Sequence, residues 1–180
     1  INDQQNVLII TENGLRALNL KEDDELISVM KTDGDTDIII GTQAGYSVRF
    51  NEADVRSMSR IATGVRGVRL REDDIVIGAS AINDQQNVLI ITETIFSKKT
   101  LATEYPKKGR GGKGIKTANI TEKNGKLSGL VTVNGDEDIM LITDKGIIIR
   151  VNVNTVSQSG RATMGVKLMR LLDDSKISPP

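Results

Sequence analysis

Cysteine, histidine and tryptophan are all absent from this 180-residue chain. Without cysteine there is no disulfide and no thiolate metal site, a composition that fits a reducing cytoplasm. Without histidine there is no His-dependent nucleophile and no imidazole-bound metal. Two Phe and two Tyr are the whole aromatic content, so a core must come from Val, Ile and Leu. That β-branched bias favours strands. No apolar run approaches the roughly 18 residues of a membrane span. The first residues also lack the basic region and apolar run of a secretory signal. Neither a membrane partner nor a cofactor is expected, and a cytoplasmic location is. Net charge is zero, from 24 basic and 24 acidic residues. A bulk polycation is therefore excluded, and the distribution of charge matters more than its sum.

The distribution is uneven. Residues 98–116 carry Lys98, Lys99, Lys107, Lys108, Arg110, Lys113 and Lys116 against the single acid Glu104. Residues 56–71 carry five arginines, among them Arg60, Arg66 and Arg71, and no acid. The acids form their own blocks at 22–25, 33–37, 72–74, 136–138 and 173–174.

A repeat of about fifty residues underlies these blocks. Gly64-Val65-Arg66, Gly114-Ile115-Lys116 and Gly165-Val166-Lys167 each follow a basic residue four positions before the glycine: Arg60, Arg110 and Arg161. After the glycine come a short strand (65–70 or 115–120), a charged turn and a second strand (75–79 or 127–133). A very apolar strand follows at 37–41, 88–91 and 139–142. It ends in Thr42, Thr92 or Thr143. Gly45 and Gly146 then supply the positive φ of a hairpin turn, where the middle copy has Thr94-Ile95 instead. The last strand carries a cation at one fixed place: Arg49, Lys99 and Arg150. Short strands with frequent turn signals and no helical pattern predict an all-β, propeller-like fold of four-stranded blades. About three to four blades are expected in a single domain, with repeats near 13–55, 60–105 and 110–156 and a half-repeat at 161–175. Residues 1–12 recur identically at 82–93. They leave two registers open for Gly14, as the glycine opening a unit or as a hairpin glycine.

The densest chemistry lies in residues 107–116. Glycines permit positive φ and close approach, and lysines beside them attract an anion. The stretch reads either as an anion cradle or as a glycine-rich connection whose lysines are merely solvated. It is not a Walker A loop, because no Lys-Ser/Thr follows the second glycine. Asp33, Asp35 and Asp37 hint at an oxygen-ligand loop, but the bidentate Glu of an EF-hand is missing at its spacing. No metal site is expected, and no constellation of groups points to catalysis. Tyr105 is expected in the core.

Several of these stretches resemble the C-terminal domain of bacterial DNA gyrase A, with topoisomerase IV as a close relative. They are Arg110 to Thr117, Ile120 to Gly125, Glu22 to Leu26, Ala62 to Val65, Leu70 to Asp74 and Val88 to Glu93. The resemblance implies a β-pinwheel of four-stranded blades with a strand exchange and a basic rim around which duplex DNA wraps in support of ATP-dependent negative supercoiling. It implies as partners double-stranded DNA, the rest of gyrase A and gyrase B, with the catalytic tyrosine in another domain. A topoisomerase IV-type domain that positions DNA segments and a propeller that binds proteins stand as alternatives. The family's box, Gln-Arg-Arg-Gly-Gly-Lys-Gly, is matched here by Arg110, Gly111, Gly112, Lys113 and Gly114. Lys108 and Gly109 depart from it. In the family that box lies in the first blade, whereas this copy resembles a later one. The expected phosphate contacts are Arg49, Arg66, Lys99, Lys108, Arg110, Lys113, Lys116 and Arg150, with Arg60 and Arg161 weaker. Gly64, Gly114 and Gly165 are assigned to backbone geometry.

Overall fold

The computed structural model describes residues 18–22, 24–59, 61–169 and 176–177. The twelve-residue segment 1–12, both registers of Gly14, Arg60 and most of the stretch after 169 lie outside them. The described residues form ten strands: β1 Asp37–Thr42, β2 Tyr46–Asn51, β3 Val76–Ile82, β4 Asn87–Thr92, β5 Phe96–Leu101, β6 Ile115–Lys116, β7 Leu127–Val133, β8 Asp138–Ile142, β9 Ile148–Asn152 and β10 Val166–Lys167. Three one-turn 3₁₀ helices, Glu52–Asp54, Ala102–Glu104 and Val153–Thr155, follow the hairpins. Among the described residues no helix is long and apolar enough to cross a membrane.

Each hairpin forms because an apolar β-branched run meets a tight turn. Gly45 and Gly146 take φ of 83° and 76°, and their amides donate to the carbonyls of Thr42 and Thr143. The middle turn makes the same bond from Ile95 at φ 62°. A β-branched residue in the left-handed region is strained. Full burial of Ile95 against Ile91, Leu141 and Ile177 offsets that strain. The threonines that close the second and third apolar strands have a local reason. Thr92 and Thr143 accept, on their hydroxyls, the amides of Phe96 and Ile147 across the turn.

The hairpins sit at the heart of three antiparallel sheets. The first runs β3-β1-β2-β6, the second β7-β4-β5-β10, and the third holds the pair β8-β9. The sheets cut across the sequence repeat. β3 lies between Arg60 and Tyr105 in sequence yet pairs with β1, with Ile39 opposite Ser80. β7 pairs with β4 in the matching register, Leu89 opposite Val131. Both ladders shift at the strand end, at Gly41/Thr42 and Ile91/Thr92. The later units thus lend a strand, β3 or β7, to one edge of the preceding sheet. The third sheet shows the start of the same arrangement in a bridge between Thr143 and Ile177.

The stretches expected as strands at 65–70 and 115–120 are shorter in the structure. Only Ile115–Lys116 is a strand, and the earlier stretch makes a single bridge, Val68 to Gly112. Each lies at a sheet margin, where few ladder bonds are available to extend it.

The apolar core lies between the sheets. Ile39, Ile77 and Ile82 of the first meet Val88, Ile90 and Leu130 of the second, with Tyr105 buried among them at 1% exposure. Leu89 and Val133 pack against Val153 and Val156 on the far side of the second sheet. The faces of neighbouring blades therefore seal against one another, and the outermost strands β6 and β10 remain at the margin.

Candidate nucleic-acid interface

The glycine-rich loop is held against its own blade by backbone contacts. Gly114 has φ 73°, and a Cβ there would lie 2.7 Å from the Ser47 carbonyl oxygen. Gly165 repeats this over the Ser97 carbonyl, also at 2.7 Å with φ 84°. Only glycine allows so close a backbone approach with this φ. The motif glycines thus serve geometry and seat the short strand that follows against β2 or β5.

The arginine four residues earlier clamps the loop. Arg110 Nε donates to the Asp54 carbonyl at 2.8 Å, and its Nη1 donates to the Arg66 carbonyl at 3.2 Å. Arg161 makes the equivalent pair, with the Glu104 carbonyl at 3.1 Å and the Lys116 carbonyl at 2.6 Å. Each ties its loop to the 3₁₀ turn before it and to the basic residue one repeat back. Half-buried in this way, Arg110 and Arg161 are framework residues whose charge still lies near the surface.

The cations on the β2, β5 and β9 strands occupy equal register positions, opposite Ile39, Leu89 and Met140. Their expected place on a DNA-contacting rim is corrected for Arg49. Arg49 is 7% exposed and pairs with Asp37 at 2.8 Å. It also donates to the carbonyls of Ala102 and Tyr105 in the next blade. Lys99, half-buried, donates to the Val153 carbonyl, the counterpart of Ala102 one repeat on. Arg150 is exposed and bonded to Asp138. At Arg49 and Lys99 this position faces the next blade, and the cation ties the two blades together.

The remaining expected cations are solvent-facing. Arg66, Lys108, Lys113 and Lys116 are exposed. Lys116 sits on β6, the outermost strand of the first sheet, and donates to Asn119. One repeat on, Lys167 occupies the same place on β10, the outermost strand of the second sheet, and is exposed. Lys167 stands outside the expected contacts, although the repeated Gly-Val/Ile-Lys/Arg spacing points to it. Lys108 and Lys113 border a small cavity of about 230 Å³ between the loop and β2. Lys107 turns away and pairs with Asp37 at 2.8 Å.

Electrostatics separate framework from surface. Burial alone would raise the Asp37 carboxyl, but Lys107, Asn51 and Arg49 together hold it below the usual range. Lys98, with no exposed surface, donates to the Gly160 and Arg161 carbonyls, and burial pushes its ammonium down to about 8. Asp33 accepts from Thr36 and from the Asp35 amide, so the aspartate run closes its own turn.

A family model described as the DNA gyrase C-terminal domain, beta-propeller, matches residues 9–33, 36–83, 86–134 and 137–178. The chain belongs to this family. The DNA gyrase A protein of Streptococcus pneumoniae serotype 4 is 66% identical over 168 residues, 93% of this chain and 20% of that protein. Its counterpart from Streptococcus pyogenes serotype M1 is 69% identical over the same length and shares. The chain therefore spans about a fifth of the curated relatives it matches. Among solved structures, the C-terminal domain of DNA topoisomerase IV superposes with a TM-score of 0.84 at 27% identity, over 89% of this chain and 50% of that one. The DNA gyrase A C-terminal domain superposes at 0.83 and 23% identity, over 92% and 57%. The sheets with borrowed edge strands are thus the propeller-type fold of the DNA gyrase C-terminal domain family.

Proposed function

We propose that this chain is a non-catalytic DNA-binding and DNA-wrapping module of a type IIA topoisomerase. It grips duplex DNA through phosphates along its blade margins and supports ATP-dependent negative supercoiling by the longer protein. The observation that carries this reading is the recurrence of Arg66, Lys116 and Lys167. They are exposed cations spaced one repeat apart, and two of them stand on the outermost strands of adjacent sheets. A regular polyanion can be followed by equal charges at equal steps. Lys108 and Lys113 extend the track beside Lys116. Contacts of this kind position the duplex without reading bases, and sequence preference then follows from the cost of bending it.

Neither tyrosine suits a nucleophile. Tyr105 is buried, and burial pushes its hydroxyl up to about 12. Tyr46 lies beneath the Arg71 guanidinium. We assign strand cleavage to other parts of the longer protein. Its partners on this reading are DNA, the rest of gyrase A and gyrase B, in the cytoplasm.

The test is affinity for a linear duplex across a salt series. Neutralising one phosphate with each of Arg66, Lys108, Lys113, Lys116 and Lys167 predicts a log–log slope of about −4.5 on a ~40-base-pair duplex. Salt-insensitive binding, or no binding at low salt, would overturn the reading.

A further inference from the structure

Arg71 stands outside the phosphate contacts named above, yet its guanidinium is tied to the basic loop. It lies in the charged turn that follows the Val68 bridge. Its guanidinium carbon stands 3.2 Å from the centroid of the Tyr46 ring. From that stacked position Nη1 donates to the Lys113 carbonyl at 2.8 Å. Tyr46 opens β2 and pairs with Lys116 of β6. One planar side chain thus links the first residue of β2 to the middle of the glycine-rich loop. The second blade keeps only a loose version, Lys123 Nζ at 5.9 Å from the Phe96 ring.

We propose that Arg71 is a positioning residue: stacked on Tyr46, it fixes the Lys113 peptide and so presets the basic loop for phosphate. The need for such a device follows from the loop's own composition. Four glycines at 109, 111, 112 and 114 give it more conformational freedom to lose than any other stretch of this length. A loop ordered before it meets its ligand binds more tightly than one ordered on contact. A guanidinium suits the task because it stacks on a ring with its face and directs hydrogen bonds from its edge. One of its guanidinium N–H groups is spent on the Lys113 carbonyl, and we assign its contribution to holding the loop rather than to contact with a phosphate. The inference rests on the DNA-binding reading above.

The experiment measures duplex affinity by fluorescence anisotropy on the full chain, with amide hydrogen exchange at residues 112–115 as a second readout. Arg71→Ala should raise Kd about 5-fold at fixed salt while leaving the log–log salt slope unchanged, since no phosphate contact is removed. Exchange at 112–115 should quicken while β4 stays protected. Arg71→Lys should not rescue, because an ammonium cannot stack and point as a guanidinium does. Tyr46→Phe should bind like wild type. Tyr46→Leu keeps apolar bulk but removes the aromatic face, and should match Arg71→Ala. The double variant should be no weaker than either single one. A slope reduced by about one unit and restored by Arg71→Lys would make Arg71 a phosphate contact and overturn the proposal. Unchanged affinity in Arg71→Ala and Tyr46→Leu, with wild type binding normally, would overturn it alone. Wild type failing to bind DNA at all would overturn the DNA-binding reading and this inference with it.

Discussion

Replacing Arg49 with methionine tests whether the once-per-repeat cation is a blade staple or a DNA contact. The guanidinium holds Asp37, whose side chain is 8% exposed, and caps the Ala102 and Tyr105 carbonyls. Its second ion pair, to Asp84, adds little because that carboxylate is 70% exposed. Removing one partner of a buried pair costs about 3–5 kcal/mol, chiefly through the charge left behind. Lys107 still reaches the other Asp37 oxygen at 2.8 Å, so the low end, about 3 kcal/mol, is expected. Urea unfolding at neutral pH reads this directly. The pH dependence has a definite sign. In the wild type the Asp37 carboxyl is held below its usual value, so its contribution is present above about pH 4 and fades as pH falls through the folded value. In the variant the lowering by Arg49 is gone, so the carboxyl sits higher than in the wild type. The gap between the two proteins should therefore narrow on acidification below about pH 4. Arg150→Met supplies the control. It holds the same register position but is 76% exposed, and should leave the unfolding midpoint unchanged. The reasoning is refuted if Arg49→Met costs under about 1 kcal/mol while the DNA salt slope falls by about one unit.

Gly114→Ala should destabilise the fold by about 2 kcal/mol or more through positive φ and the clash with Ser47, whereas Gly109→Ala, with open space around it, should not. Urea titration of both checks this. Lys98→Met should remove a pH dependence: the buried ammonium loses its proton near 8 while an unfolded lysine keeps it to about 10.4. Across that window the unfolded chain binds more protons, so wild-type stability should rise with pH and the variant's should not. Lys113→Ala and Lys116→Ala should each weaken DNA binding and shift the salt slope by about one unit toward zero, without changing thermal stability.

The strands were legible because their causes are local. Apolar runs such as Ile38-Ile39-Ile40 and Val88-Leu89-Ile90-Ile91 end in threonine, and Gly45 and Gly146 mark the turns. Ile95 shows the limit of that code. Its turn is the same, but the residue that closes it is chosen by a pocket built from Ile91, Leu141 and Ile177. Within the candidate site, Lys113 and Lys116 were readable because a glycine-rich basic loop has a local meaning. Tyr46 and Arg71 were not, because their contact joins residues with no shared motif.

The sequence by itself determined the fifty-residue repeat, the all-β class, the family and the glycines that admit the loop to the back of β2. Each depends on spacing or on backbone freedom, which the order of residues carries. The tertiary structure alone decided that β3 and β7 pair with the hairpin of the preceding unit. It alone decided that Arg49 faces inward to staple blades while Lys116 and Lys167 face outward. A strand's alternation says that two faces differ, but the face that loses its water is fixed by a sheet some fifty residues away in the chain.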